Sequence, residues 1–462
     1  MRAAALTLLC GVAACAHAAE GEITLWKEID VEPYMGSFVS PGDLDADGRV
    51  DFLLSQMGPH TTPAALIALD HKGGKLWEVG DRAYRARTAG RANEPTCRGI
   101  ASVFDVDGDG RAEVIAELWE RDRPMLVLLD GATGKMKHRI PSPFDMSVRR
   151  PKGHASSRPV PMALIAHLDG PDKRPSIVLK YEASNRIPCH VVALGPDLRV
   201  RWRLKTRPTG MGHIPTVADL DGDGRDEIVL GQTVLNGDGS VRWQRTFGIH
   251  ADCTDVADLT DSPGREVLVS ICSKGPAYCL AGTDGKTLWQ KTRKDVPHGQ
   301  AIWAGDFMPK RPGQEVVILC SGHVGKFMTV AGDSGKALAR FSHLTQVSAY
   351  PDFPVKVRWT DPKTHTLWIP VDRRLVDGFG KTVRDLGRFD KQVAERLACG
   401  ATKKHLAAQA IAIDLCGDGR EDLLLYQPYH GRAVFIFTQA DSKGAPKPYR
   451  HQPNAYNFRT YF

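Results

Sequence analysis

Outside its N-terminus the chain of 462 residues has no long apolar run. No segment there reaches the roughly 20 apolar residues that a membrane-spanning helix needs, so none is expected to cross a bilayer as a helix. There is no Cys-x-x-Cys pair, which argues against a zinc ribbon or a thioredoxin-type site. There is no Gly-x-Ser-x-Gly elbow, no P-loop and no His-Glu-x-x-His, so hydrolase-elbow, nucleotide and zinc-protease chemistries lose their usual signatures. Long helical periodicity is absent, and only Arg388 to Ala408 could hold a helix. The formal charge is +7. The basic residues are scattered rather than gathered into a stripe, so no nucleic-acid partner is expected. A basic chain suits an acidic polymer such as a uronate, although ordinary solubility explains the same charge.

The apolar N-terminus is short. Met1-Arg2, the run Ala3 to Ala14 and Ala16-His17-Ala18 make a signal peptide over residues 1–18, so the protein is expected to be secreted or periplasmic. Val12-Ala13-Ala14-Cys15 offers the alternative of a lipoprotein anchored through Cys15. Two of the ten cysteines, Cys10 and Cys15, fall in this segment. The others are Cys97, Cys189, Cys253, Cys272, Cys279, Cys320, Cys399 and Cys416. Cys272 and Cys279 flank a turn-like Ser273-Lys274-Gly275-Pro276. They could bridge a hairpin or be small core residues.

What the chain does have is repeats. Asp219-Leu-Asp221-Gly-Asp223-Gly-Arg225-Asp226-Glu227 recurs as Asp105-Val-Asp107-Gly-Asp109-Gly-Arg111-Ala-Glu113 and as Asp43-Leu-Asp45-Ala-Asp47-Gly-Arg49-Val-Asp51. Near the C-terminus Asp414-Leu-Cys416-Gly-Asp418-Gly-Arg420-Glu-Asp422 returns. Worn copies start at Asp258, at Asp306 and around His167-Leu-Asp169, and Val355 to Pro370 keeps only the strand pattern. A short apolar run precedes each loop and a β-branched run follows it. Then come a turn and a strand closing on Trp, as in Gly74-Lys75-Leu76-Trp77 and Gly239-Ser240-Val241-Arg242-Trp243. Four short strands per unit define a propeller blade. The expected fold is all-β: a single β-propeller domain over residues 21–462, with eight blades. Seven is the alternative if Val355 to Leu386 is an insertion. Ile23-Thr24-Leu25-Trp26 is expected to complete the blade begun at Asp414 and close the ring.

The loops carry hard oxygen ligands. Acids at positions one, three, five and nine, with Gly at six and a backbone carbonyl at seven, suit calcium rather than zinc. The expected calcium ligands are Asp43, Asp45, Asp47 and Asp51, then Asp105, Asp107, Asp109 and Glu113, then Asp219, Asp221, Asp223 and Glu227. A solvated turn is the bland reading of an Asp-Gly-rich loop.

The opposite face gathers histidines. A strand rises about 3.3 Å per residue, so residues well before the first loop Asp lie at the far end of the inner strand. Cys97, His250 and His298 each sit eight residues before Asp105, Asp258 and Asp306. His213 and His405 sit near the same register. The returning strands bring His60, Tyr181, Asn185, Arg186, His323, Tyr429 and His430 to that face. His250, Cys253 and His298 could together hold zinc. The alternative is a hydrogen-bonded His pair beside a buried Cys.

These units resemble the FG-GAP or VCBS repeats of integrin-type propellers, which implies fold and calcium. A sharper likeness lies in motif order. Met211-Gly212-His213 leads into Asp219 to Glu227. His250-Ala-Asp252-Cys253, Pro297-His298-Gly299-Gln300, Asp306 to Glu315, Asp418 to Asp422 and Asn454-Ala-Tyr456-Asn457-Phe-Arg459 follow. This order resembles propeller polysaccharide lyases of the rhamnogalacturonan and ulvan lyase type. The resemblance implies β-elimination on an acidic, uronate-containing polysaccharide by a monomer. It implies His and Tyr for proton transfer and Arg facing the carboxylate. Tyr181, His213, Arg186 and His154 are the matching catalytic positions, with Arg158 as a substitute for Arg186. Arg158, Asn185, His60 and His323 are the substrate-binding candidates.

Two other readings stay open. A calcium-dependent carbohydrate-binding or adhesive propeller would share the fold without catalysis. Leu129-Asp130-Gly131-Ala132-Thr133-Gly134-Lys135 and Gly282 to Trp289 also resemble quinoprotein and outer-membrane assembly propellers. The acidic loops argue against both of those.

Overall fold

The runs that follow the acidic loops are short and largely apolar, as in Glu227–Gly231, whose residues are all buried. Such a run is a strand covered on both faces. Fourth strands read differently: Met136–Pro141 and Ala337–Ser342 contain no buried residue and form the outer rim. The computed structural model describes residues 22–58, 62–84, 101–121, 123–143, 161–181, 189–206, 211–247, 250–272, 275–321, 325–343, 354–370, 372–387, 391–397, 408–428, 430–442 and 448–451.

Among these residues the strands form eight four-stranded antiparallel sheets, an all-β, eight-bladed propeller. The first strands of the blades are Ser37–Gly42, Ala101–Phe104, Pro161–Ala166, Met211–Ala218, Ala251–Ala257, Ala301–Gly305, Val355–Val357 and Gln409–Ile413. First strands of neighbouring blades pack together and so lie nearest the axis. The N-terminal strand Ile23–Asp30 pairs antiparallel with Ala433–Gln439 and supplies the fourth strand of blade 8. The count is eight, not seven, because Val355 to Asp385 makes four strands of its own. The short helix Lys391–Arg396 lies between blades 7 and 8.

Between blades 1 and 2 and at the three junctions from blade 3 to blade 6, the inter-blade core is locked by a tryptophan. The indole N–H of Trp77, Trp202, Trp243 and Trp289 donates to the carbonyl of Gly131, Gly237, Gly282 and Gly332 in the next blade. The ring then covers a turn glycine. At Gly285, with φ of +72°, a Cβ would lie 2.7 Å from the Trp243 ring. Only glycine satisfies both the left-handed backbone and that approach. Trp243→Ala should therefore cost about 3–5 kcal/mol of stability. Trp243→Phe, which keeps most of the packing and loses the hydrogen bond, should cost about 1 kcal/mol from that bond. Urea unfolding reads both, and an Ala variant within 1 kcal/mol of the parent would contradict the clamp.

Cys272 and Cys279 are both free thiols, so the hairpin bridge is not made. They lie on opposite sides of the hairpin's purpose. Cys279 is buried in the core against Leu268 and Trp289, whereas Cys272 follows the end of its strand.

Candidate active site

The acidic loops join the first strand of a blade to its second. The first aspartate folds the loop around its carboxylate: Asp219 accepts the amides of Gly222 and Gly224, and Asp105 those of Gly108 and Gly110. Asp47, Asp109 and Asp223 each accept the amide of the arginine two residues on. The remaining acids converge. Asp43, Asp45 and Asp51 bring one oxygen each within 4.8 Å of one another, as do Asp105, Asp107 and Glu113, and Asp219, Asp221 and Glu227. Burial pushes the Asp51 carboxyl up to about 7, with Asp45, Asp47 and Asp43 adding to the rise and the Leu44 amide opposing it.

A different chemistry stands at the other end of the inner strands, in blades 5 and 6. His250 directly precedes the strand Ala251–Ala257, Cys272 directly follows Glu266–Ile271, and His298 lies just before Ala301–Gly305. Backbone bonds tie these ends together: the Cys272 amide donates to the His250 carbonyl at 3.0 Å and the Gly299 amide to Ile271 at 3.0 Å. The ladder slips between Ala251 and Cys253, leaving Asp252 as the extra residue. Such a bulge re-aims a side chain. Asp252 is 0 % exposed, yet one carboxylate oxygen lies 3.1 Å from His250 Nε2 and the other 3.1 Å from His298 Nε2. Gln300 Nε2 donates to the same carboxylate at 3.3 Å. Cys272 Sγ is 3.7 Å from His298 Nε2. His250, Asp252 and Cys272 present donor atoms within 4.8 Å of one another.

The electrostatics follow from a buried negative charge. Burial alone would lower the His250 imidazole, but hydrogen bonds to Asp252 and Cys272 outweigh it and raise it to about 9. The Asp252 hydrogen bond, then that of Cys272, raises His298 to about 10 against the opposing effect of burial. The buried carboxylate thus holds both imidazoles in their protonated form more firmly than an ordinary histidine is held. The donor set of imidazole, carboxylate and thiol fits a borderline-soft divalent metal such as zinc better than calcium, which takes oxygen ligands.

This corrects the zinc set expected from sequence. Cys253 is not part of it: the next residue after Asp252 turns into the core between blades 5 and 6, where its thiol contacts the Ile302 carbonyl at 3.8 Å. Its place is taken by Cys272 and Asp252.

The other expected residues divide. His213 lies near the start of the inner strand of blade 4, at the same end as His250 in blade 5, within a stretch where the ladder register shifts. Tyr181 ends the second strand of blade 3 and is 0 % exposed in the core. Its hydroxyl stands 3.3 Å from Ser142 Oγ, which donates to Glu117 at 2.5 Å. It therefore supports the rim from within. His154, Arg158, Asn185, Arg186, His60 and His323 lie outside the described residues.

The eight blades thus carry acidic loops on one face and, on the other, a buried carboxylate that holds two imidazoles. Residues 160–445 match the family model described as rhamnogalacturonan lyase family 11, C-terminal domain, and the chain belongs to that family. It is 28 % identical over 336 residues to the rhamnogalacturonan endolyase YesW of Bacillus subtilis, covering 61 % of this chain and 52 % of that one. The rhamnogalacturonan exolyase YesX of the same organism is 26 % identical over 322 residues, covering 58 % and 50 %. The chain thus spans about half the length of the curated relatives it matches. The solved rhamnogalacturonan lyase PL11 of Bacillus licheniformis shares the fold with a TM-score of 0.65 at 19 % identity, covering 94 % of this chain and 78 % of that one.

Proposed function

We propose that the chain is a polysaccharide lyase that cleaves an acidic polysaccharide of the rhamnogalacturonan type by β-elimination. The rim built on Asp252 is the centre of its site. The family match carries this reading, because residues 160–445 include His213, His250, Asp252, Cys272 and His298. β-Elimination beside a uronate carboxylate has three demands. The carboxylate charge is neutralised, a base takes the C5 proton as the C4–C5 double bond forms, and the departing C4 oxygen receives a proton. A metal held by His250, Asp252 and Cys272 would supply the neutralising charge. His213 on the adjacent blade and His154 are the proton-transfer candidates. Arg186 or Arg158 faces the uronate, and Asn185, His60 and His323 extend the binding surface. Tyr181 acts as a positioning residue, given its burial. Calcium bound at an acidic loop is structural in this reading, and residues 1–18 are the export signal. No helix among the described residues is long and apolar enough to cross a membrane.

The purified chain, offered rhamnogalacturonan, other uronate polymers and neutral glycans, should raise absorbance at the unsaturated-uronate band only with acidic substrates. The largest rise is expected with rhamnogalacturonan. New reducing ends without that absorbance would mean hydrolysis. Binding without either would mean a carbohydrate-binding propeller, and both outcomes overturn the proposal.

A further inference from the structure

The acid at the ninth loop position plays one part in almost every blade. One of its oxygens accepts the amide of the residue after the first loop aspartate. Asp51 takes Leu44 at 2.9 Å, Glu113 takes Val106 at 3.0 Å and Glu227 takes Leu220 at 2.9 Å. Glu266 takes Leu259 at 2.7 Å and Asp422 takes Leu415 at 2.8 Å. The other oxygen is where the blades differ.

In blade 2, Lys137 Nζ lies 2.6 Å from Glu113 Oε1, 2.6 Å from Asp107 Oδ2 and 4.0 Å from Asp109 Oδ2. In blade 4, Arg242 reaches Glu227 Oε1 at 2.8 Å and also bonds Asp221 Oδ2. In blade 6, Arg311 meets Glu315 at 2.9 Å, and in blade 5 the Thr260 hydroxyl meets Glu266 at 2.5 Å. Blade 3 has Ser176 in place of the acid, and Arg201 binds it at 2.5 Å and Asp169 at 2.8 Å. Blade 1 is different. Asp51 is 0 % exposed, and its Oδ1 is buried without a hydrogen-bond partner among the described residues. His71 lies beside this loop, with its Nδ1 3.5 Å from Asp47 Oδ2 and its Nε2 meeting Arg49.

The cause is one position in the fourth strand. Every fourth strand carries a bulge against the third, and in blades 2, 3 and 4 the unpaired residue there reaches back to the loop. In blades 2, 3 and 4 that residue is Lys137, Arg201 and Arg242. In blade 1 it is Leu76. We propose that Lys137 and Arg242 are tethered cations that take the place of calcium in blades 2 and 4. Of the three complete acidic loops, only that of blade 1 then recruits the ion.

The physical case is competition for the same oxygens. Calcium sits 2.3–2.6 Å from carboxylate oxygens, and Lys137 Nζ bonds two of the cage oxygens at 2.6 Å. An incoming ion would have to break both ion pairs of a side chain covalently fixed beside the site. In blade 1 the four carboxylates have no lysine or arginine ion pair among the described residues, and a buried carboxylate oxygen faces the cage. The loop of blade 8 shares a bare Asp422 Oδ1, but Cys416 replaces its second carboxylate and Arg420 binds Asp418 and Asp441.

The test is calcium stoichiometry on chelator-stripped full-length protein, by calorimetry and elemental analysis, with melting temperature as a second readout. It does not depend on lyase activity. Asp51→Asn and Leu76→Lys should each remove one bound calcium and the calcium-induced rise in melting temperature. Lys137→Leu and Arg242→Leu, which copy blade 1, should each add one. Asp107→Asn and Asp221→Asn should leave the stoichiometry unchanged. If either of these last two lowers it by one, or if Asp51→Asn leaves it unchanged, the proposal is overturned, whether or not the leucine variants fold.

Discussion

Asp252→Asn is expected to lower lyase turnover by about 100- to 1,000-fold, the range found when one preorganised electrostatic contact is removed from a site. The carboxylate is fully buried and spans two imidazoles at 3.1 Å each. An amide of the same shape offers one acceptor oxygen and no charge, so at most one imidazole stays held. Bound transition metal should fall in parallel, since orienting and ligating groups act together. Cys253→Ala is the control. One residue further along the strand, it faces the core between blades and should cost stability while leaving turnover and metal content near those of the parent. Turnover by steady-state absorbance and metal by elemental analysis decide the matter. If Asp252→Asn keeps parental turnover, the cluster is not the catalytic centre, even where the family activity is present.

The propeller was legible because its signal repeats. A single Asp-Gly-rich loop reads as a turn, but four in register, each between apolar runs, fix strand direction and blade period together. Blade 7 kept no acidic loop, and its strands still announced themselves. Trp359 and Trp368 are buried in its core, so the apolar pattern survived after the loop chemistry was lost. The strand Ile23–Asp30 was visible because it looks like a fourth strand without a preceding blade.

The rim was only partly legible. Register placed His250 and His298 on one face, since distance along a strand converts directly to height. It failed on the third partner. Cys253 is near His250 in sequence, but strand alternation sends it the other way. Cys272 was drawn toward Cys279 by their hairpin spacing, yet it belongs with a histidine on the next blade, 26 residues on. Contacts across blades depend on bulges, and a bulge such as the one at Asp252 leaves no mark in composition. The same limit hid the role of Lys137 and Arg242. Read singly, each is one more scattered cation. Only the ladder register shows both at the bulge of a fourth strand, above a carboxylate pair.

Deleting residues 22–30 should convert the protein into aggregate at temperatures where the parent is native. Among the described residues, the strand Ile23–Asp30 pairs with the outer edge of Ala433–Gln439 and covers it. That segment, Ala-Val-Phe-Ile-Phe-Thr-Gln, is buried throughout and carries no charge. Uncovered, it presents unpaired backbone groups and apolar side chains together, which is the template for strand addition between chains. Ion pairs of Arg396 with Glu28 and Asp30 would be lost as well, but exposed pairs of this kind contribute little. Point variants separate closure from mere truncation. Ile29 is 1 % exposed and packs in the core shared by blades 8 and 1, so Ile29→Ala should cost about 2–5 kcal/mol. Leu25 and Trp26 are 43 % and 44 % exposed, so alanine there should cost much less, on the order of 0.5 kcal/mol. Size-exclusion chromatography with light scattering follows the deletion, and urea unfolding follows the point variants. A deletion protein that stays monomeric with the parental midpoint would show that the ring holds without its N-terminal strand.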